Sequence, residues 1–185
     1  MSAIDLSVCP VIAAVKDDAQ LQRAIRSDSS VIFFLYGDIL NITELCERVS
    51  AAGKHAIVHL DLVNGLAGRE IAVDFIAKTT KAGGIISTKP ALVRRAKELG
   101  LFAILRVFVI DSMALANLEK EIQMCSPDVV ELLPGVMPEV IRSVAQSCET
   151  PIVAGGLIAS KKDIMAALGA GAVAVSTTHE ESWNL

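Results

Sequence analysis

The chain has 185 residues, is 52% hydrophobic and carries a formal charge of −4; its mean hydropathy is +0.52. That is enough for one compact core. The acidic balance argues against a surface that coats nucleic acid indiscriminately. No apolar stretch nears the roughly 20 residues of a membrane span, since the run Val8–Val15 stops at Lys16-Asp17-Asp18. The start lacks the basic segment of a secretory signal, and four scattered cysteines without a Cys-x-x-Cys pair fit reduced thiols in the cytoplasm. With only three histidines no metal set stands out.

Short apolar runs recur along the chain at Val11–Val15, Val31–Tyr36, Ala56–Leu60, Gly84–Ser87, Phe102–Phe108, Val129–Leu133, Ile152–Ala154 and Ala172–Val175. They are rich in Val, Ile and Phe and lack polar alternation, as suits strands covered on both faces. Segments of helical period lie between them. Asp17-x-x-Gln20, Asn41-x-x-Glu44 and Thr178-x-x-Glu181 have the form of capping boxes. Pro90 and Pro138 suit first-turn positions, Gly53 and Gly100 helix ends. Eight βα units predict an α/β fold: a compact (β/α)8 TIM barrel, one domain over residues 1–185, with a truncated last helix after His179. An open doubly wound sheet is the alternative. The count favours closure, although such barrels usually use about 250 residues.

The C-terminal ends of barrel strands carry the site in this architecture. After strand 7 come Gly155 and Gly156, where bare backbone can approach an anion. After strand 8 come Ser176, Thr177 and Thr178, which add hydroxyls and are expected to start a helix with a favourable dipole. A small phosphorylated ligand is expected there. Asp61 and Asn64 follow strand 3, Lys89 follows strand 4, and Glu131 lies in strand 6. Lys89 and Arg69 suit a phosphate, Asp61 and Glu131 ligand hydroxyls. Arg106 is open between ligand contact and a paired charge layer with Asp61 and Glu131, because buried charges need partners. His59 reads as a hydrogen-bonded core histidine rather than a catalyst. No lysine falls inside a strand, and no nucleophile–base set can be proposed from spacing; no catalytic residue, metal or cofactor is expected.

Charge is polarised. Residues 69–106 sum to +5 and the rest to −9. Lys78 and Lys81 on the third helix and Arg94, Arg95 and Lys97 on the fourth, together with Arg69, can form one basic face that tracks RNA phosphates. Solvated helix faces explain the same residues equally well.

His59-Leu-Asp-Leu-Val-Asn-Gly-Leu66, Gly84-Ile-Ile-Ser-Thr-Lys89, Val130-Glu-Leu-Leu-Pro-Gly135, Pro151-Ile-Val-Ala-Gly-Gly-Leu-Ile158 and Ala174-Val-Ser-Thr177 together resemble the glycerol-3-phosphate-responsive antiterminators of bacterial glycerol operons. The resemblance runs from about Pro10 through Trp183. It implies a cytoplasmic regulator that binds glycerol 3-phosphate and then the leader messenger RNA of glycerol-utilisation operons, preventing premature termination. It places Asp61, Asn64, Lys89 and Glu131 near the glycerol end, and Gly155, Gly156, Ser176 and Thr177 near the phosphate. A homo-oligomer is compatible with it. The alternative class is a barrel enzyme, an isomerase or aldolase acting on a triose or similar sugar phosphate.

Overall fold

The computed structural model describes residues 4–6 and 9–185; Val8, where the first apolar run begins, lies outside them, as do residues 1–3 and 7. Among the described residues eight strands alternate with seven α-helices. They are β1 (Val11–Val15), α1 (Asp18–Arg26), β2 (Val31–Phe34), α2 (Ile42–Ala51), β3 (His55–His59), α3 (Glu70–Thr79), β4 (Gly84–Ser87), α4 (Pro90–Glu98), β5 (Phe102–Phe108), α5 (Ser112–Cys125), β6 (Val129–Leu133), α6 (Pro138–Ser147), β7 (Ile152–Gly155), α7 (Lys161–Gly169) and β8 (Ala174–Thr177). A 3-10 helix, Glu180–Asn184, ends the chain. The strands form one closed parallel barrel in sequence order, with β8 paired to β1. The fold is therefore a TIM barrel, and the open sheet is excluded. No helix among the described residues is long and apolar enough to cross a membrane.

Strand alternation makes two cores. Ile12, Phe33, Ile57, Ile86, Ile104, Val129, Val153 and Ala174 fill the barrel, and Leu6 packs beneath them. Ala13, Ile32, Val58, Ile85, Leu105 and Val130 face outward onto Leu21, Val49, Val73, Leu92 and Ile141 of the helices. Each large side chain so buried stabilises by about 1.5–3 kcal/mol. Gly84 lies where strands crowd: a Cβ there would sit 2.1 Å from the Phe102 carbonyl oxygen.

Helix ends follow the sequence in part. Asp17 caps α1 by accepting from Gln20 N at 2.8 Å, Pro90 and Pro138 occupy first turns, and Gly53 and Gly100 take φ of +73° and +74° after their helices. Asn41 differs from expectation. Its Oδ1 accepts from Asp38 N at 2.9 Å, because a tight turn before α2 claims the side chain. Lys81 lies beyond the end of α3. The capping box that does form is Ser160–Asp163 on α7; an Asp at the third position hid it from a search for Glu or Gln.

The truncated last helix closes the barrel through one residue. Trp183 is buried, donates from Nε1 to the Thr177 carbonyl at 2.9 Å, and receives Ser29 Oγ at its own carbonyl at 3.4 Å. Glu180 pairs with Arg23 of α1. Trp183→Ala is expected to cost about 3–5 kcal/mol, the range for a large aromatic in a core; a urea midpoint close to wild type would show that the 3-10 helix contributes little to closure.

Candidate functional site

Inward-facing residues near the C-terminal ends of β5, β6 and β8 build a buried polar cluster inside an otherwise apolar barrel. Arg106 pairs with Glu131 across the β5–β6 register, with its Nε 2.5 Å from Glu131 Oε2. The other carboxylate oxygen of Glu131, which is wholly buried, accepts from Ser176 Oγ at 2.5 Å. Gly155 makes room for this arrangement: a Cβ there would fall 2.5 Å from Glu131 Oε1 and 2.7 Å from Ser176 Oγ. Both Glu131 oxygens are thus spent inside the protein. The guanidinium of Arg106 makes no other hydrogen bond among the described residues, and Arg106 lines a cavity of about 450 Å³.

That cavity is completed by Gly156, Leu157 and Ile158 after β7, by Ser176 and Thr177 of β8 with Thr178 and His179 beyond, and by Leu35 and Ala14. Gly156 and Leu157 are both left-handed, with φ of +75° and +61°. The conformation is ordinary for Gly156 and unfavourable for Leu157. The N–H groups of Gly156, Leu157 and Thr178 have no acceptor among the described residues. Thr177 ties the two turns together, donating from Oγ1 to the Ile158 carbonyl at 2.6 Å and accepting from His179 N at 3.0 Å. Gly135, after β6, donates to the Gly155 and Gly156 carbonyls, and a Cβ on it would meet Gly155 N at 2.9 Å.

The helix expected to start at Ser176–Thr178 does not exist in that form. Ser176 and Thr177 lie in β8, and the five-residue 3-10 helix begins at Glu180. The start of α7 is partly taken up by the protein's own groups, because Asp163 Oδ2 accepts from Ala159 N and Ser160 N at 3.3 and 3.0 Å. Unspent backbone N–H groups and Arg106, not a helix dipole, are what this cavity offers a negative charge.

The other half of the mouth belongs to β3 and β4. Asp61 does not join Arg106 and Glu131 in one layer. Its Oδ2 accepts from Ser87 Oγ and Thr88 N, both at 2.9 Å, and its Oδ1 lies 3.6 Å from Lys89 Nζ. Lys89 runs beside Gly68, where a Cβ would fall 2.0 Å from Nζ. Asn64 is exposed and pairs through its backbone with the loop after β2, donating to the Gly37 carbonyl and accepting from Ile39 N, each at 2.9 Å. His59 is buried, with Nδ1 lacking a hydrogen-bond partner and lying 3.8 Å from Asp61 Oδ2. Burial, aided by the Arg106 charge, pushes its pKa down to about 4 against the pull of Asp61.

Glu131, Gly156, Ser176 and Thr177 therefore surround one cavity, Gly155 supports it from behind, and Asp61 and Lys89 form a separate ion pair across the mouth. Sequence reasoning missed Leu157 and His179 as lining residues; nothing in a leucine announces a left-handed backbone.

The basic residues separate into two groups. On α4, Arg95 pairs with Asp74 and Glu98 at 2.7 and 2.9 Å, Arg94 lies 3.8 Å from Glu70, and Lys97 pairs with Asp128. Arg69, Lys78 and Lys81 are exposed and make no ion pair among the described residues.

Residues 11–183 match the family model described as glycerol-3-phosphate responsive antiterminator. The chain is 42% identical over 176 residues to the uncharacterised protein YgcP of Escherichia coli K12, covering 95% of this chain and 92% of that one. It is similar to the crystal structure of a glycerol uptake operon antiterminator regulatory protein from Listeria monocytogenes, with a TM-score of 0.91, 32% identity and 95% of each chain covered. A glycerol uptake operon antiterminator-related protein from Thermotoga maritima superposes with a TM-score of 0.81 at 33% identity, covering 94% of this chain and 96% of that one. The chain belongs to the glycerol-3-phosphate responsive antiterminator family.

Gly155→Ala places a methyl group against the Glu131–Ser176 hydrogen bond. Overpacking of this kind costs about 1–3 kcal/mol, so the urea midpoint is expected to fall; an unchanged midpoint would mean that the cluster has slack. His59 generates a pH dependence. Its folded pKa of about 4 lies below the ordinary 6.5, so the unfolded chain takes up a proton that the folded chain refuses. The resulting stability is complete above pH 6.5 and lost as pH falls toward 4, by about 2.5 kcal/mol at pH 4.5. His59→Asn is expected to remove that part of the slope; parallel stability–pH curves for both proteins would contradict the assignment.

Proposed function

We propose that this antiterminator-family barrel senses glycerol 3-phosphate and, once loaded, binds the leader of glycerol-operon messenger RNA to prevent premature transcription termination. The observation that carries the ligand half is the cavity after β7 and β8. Its size suits a small phosphorylated ligand. The N–H groups of Gly156, Leu157 and Thr178 have no acceptor among the described residues, and the Arg106 guanidinium borders the same space. Backbone donors and an arginine are the usual partners of phosphate oxygens. The glycerol hydroxyls then point toward the Asp61–Lys89 side of the mouth, with Asn64 at its rim. Glu131, with both oxygens occupied, and Ser176, which donates to it, act by holding Arg106 in place.

Regulation rather than turnover is the favoured reading. The eight strands hold no lysine for a Schiff base. Burial holds His59 neutral at pH 7 and makes it a weaker base than a free imidazole. The sensing reading needs no cofactor or metal and places the protein in the cytoplasm beside nascent RNA.

The RNA half rests on Arg69, Lys78 and Lys81, which are exposed and form no ion pair among the described residues. The cations of α4 are neutralised by Asp74, Glu98, Glu70 and Asp128 and contribute less. Titrating leader RNA with and without glycerol 3-phosphate, and recovering the ligand, tests the whole reading. Tighter RNA binding with ligand and its unchanged recovery are expected; ligand turnover would favour the enzyme. In the same assay, changing Arg69, Lys78 and Lys81 to Gln should lower the log–log salt slope by about one for each RNA phosphate that is no longer neutralised. Arg95→Gln should leave that slope nearly unchanged. A reversed ranking would move the RNA face to α4.

A further inference from the structure

Two carboxylates reach into the mouth of the barrel, and they differ in what they have left to offer. Glu131 spends one oxygen on Arg106 and the other on Ser176. Asp61 spends Oδ2 on Ser87 Oγ and Thr88 N. Its Oδ1 accepts no hydrogen bond among the described residues; Lys89 Nζ, at 3.6 Å, is near enough for attraction and too far for a good bond. The Asp61 side chain is 17% exposed, whereas that of Lys89 is half in solvent. Asp17 and Asp111, at other strand ends, cap their own helices, and Asp38 accepts from Leu40 N in its own turn.

The strands put Asp61 within reach of a small ligand held at Arg106. His59, Ile86 and Ile104 are in register across β3, β4 and β5. Two residues further along come Asp61, Thr88 and Arg106. The first and last are therefore two strand spacings apart at the backbone, about 10 Å. Their charges do not meet, but His59 senses both: it lies 3.8 Å from Asp61 Oδ2, and the Arg106 charge acts on it. With both side chains counted, a three-carbon phosphate spans what remains of the gap.

A carboxylate accepts hydrogen bonds and cannot donate one, while an ammonium only donates. A hydroxyl between Asp61 Oδ1 and Lys89 Nζ satisfies both, donating to the first and accepting from the second. A carbonyl oxygen in its place can only accept. It satisfies Lys89 and turns its lone pairs against Oδ1. Losing a hydrogen bond to a charged group lowers affinity by about 10- to 150-fold.

We propose that Asp61 makes this site selective for an alcohol over a carbonyl, by accepting from the hydroxyl on the middle carbon of a phosphorylated three-carbon ligand. That hydroxyl is closer to the anchored phosphate than the terminal one and stays inside the mouth with Asp61. The barrel then reads oxidation level, responding to the polyol phosphate and ignoring the ketone of the same skeleton. This selectivity rests on the sensing reading above.

Calorimetric titration of the full chain with glycerol 3-phosphate, dihydroxyacetone phosphate and inorganic phosphate tests it. The wild-type protein is expected to bind the alcohol at least about tenfold more tightly than the ketone. In Asp61→Asn the amide oxygen can keep the Ser87 and Thr88 bonds while the amide nitrogen puts a donor where Oδ1 was. The preference for the alcohol should then vanish or reverse, with affinity for inorganic phosphate unchanged. Equal wild-type affinities for alcohol and ketone overturn the selectivity and leave the sensing reading standing; failure to bind glycerol 3-phosphate overturns both. A variant that keeps the wild-type preference overturns the assignment to Asp61. Should the variant fail to fold or lose inorganic phosphate as well, 3-hydroxypropyl phosphate, which lacks the middle hydroxyl, decides on the wild-type protein. Binding as weak as the ketone's is expected, and binding as tight as that of glycerol 3-phosphate overturns the proposal.

Discussion

A buried charge in a barrel of aliphatic residues has to be matched, and the Arg106–Glu131 pair is where this chain meets that requirement. Unpaired, either group would cost several kcal/mol to bury. The match extends to a third residue, since Ser176 supplies the donor that the second carboxylate oxygen needs. It extends to a fourth, since a side chain at position 155 would occupy the space of those oxygens. Strands β5, β6, β7 and β8 are thereby held in one arrangement at the end where their loops meet the cavity. The pair is a weak source of net stability, and a hydrophobic filling would serve packing as well. Its retention makes sense as a way to hold a guanidinium at the edge of a cavity.

The same half of the mouth economises on side chains and spends backbone. Gly135 approaches Gly155 closely, Thr177 latches the turn after β7 onto β8, and Leu157 is kept left-handed next to Gly156. Such a backbone conformation persists only when its surroundings over-determine it. Here those surroundings are the Gly135 bond to the Gly156 carbonyl and the Thr177 bond to the Ile158 carbonyl, on either side of Leu157. The turns are tied by the protein's own hydrogen bonds, so a bound anion would meet donors already in place.

Charge is distributed differently in space than along the chain. The positive excess of residues 69–106 is largely cancelled on α4. There Arg95 and Arg94 reach carboxylates of α3 as well as of their own helix, and Lys97 reaches Asp128 before β6. Adjacent helices of a barrel bring such partners together whatever their separation in sequence. What remains unneutralised is smaller and lies around the ends of α3.

Much was legible in the residues themselves. Eight apolar runs at regular spacing, Pro at helix starts and Gly at helix ends are local signals, set by backbone sterics and by burial on two faces. They led to the closed barrel and to the turns after β7 and β8. The Asn41 cap failed because a neighbouring turn competed for the same side chain. The Arg106–Glu131 pairing was one of the two readings the residues left open, without Asp61 in the layer as it turns out. That Ser176 and Gly155 join it was not legible, because they meet Glu131 only where strands distant in sequence lie side by side. The left-handed Leu157 and the neutral His59 have the same origin. Local chemistry determines which segments become strands and helices; closure of the barrel decides which side chains meet, and so which polar groups are already spent and which are left for a ligand.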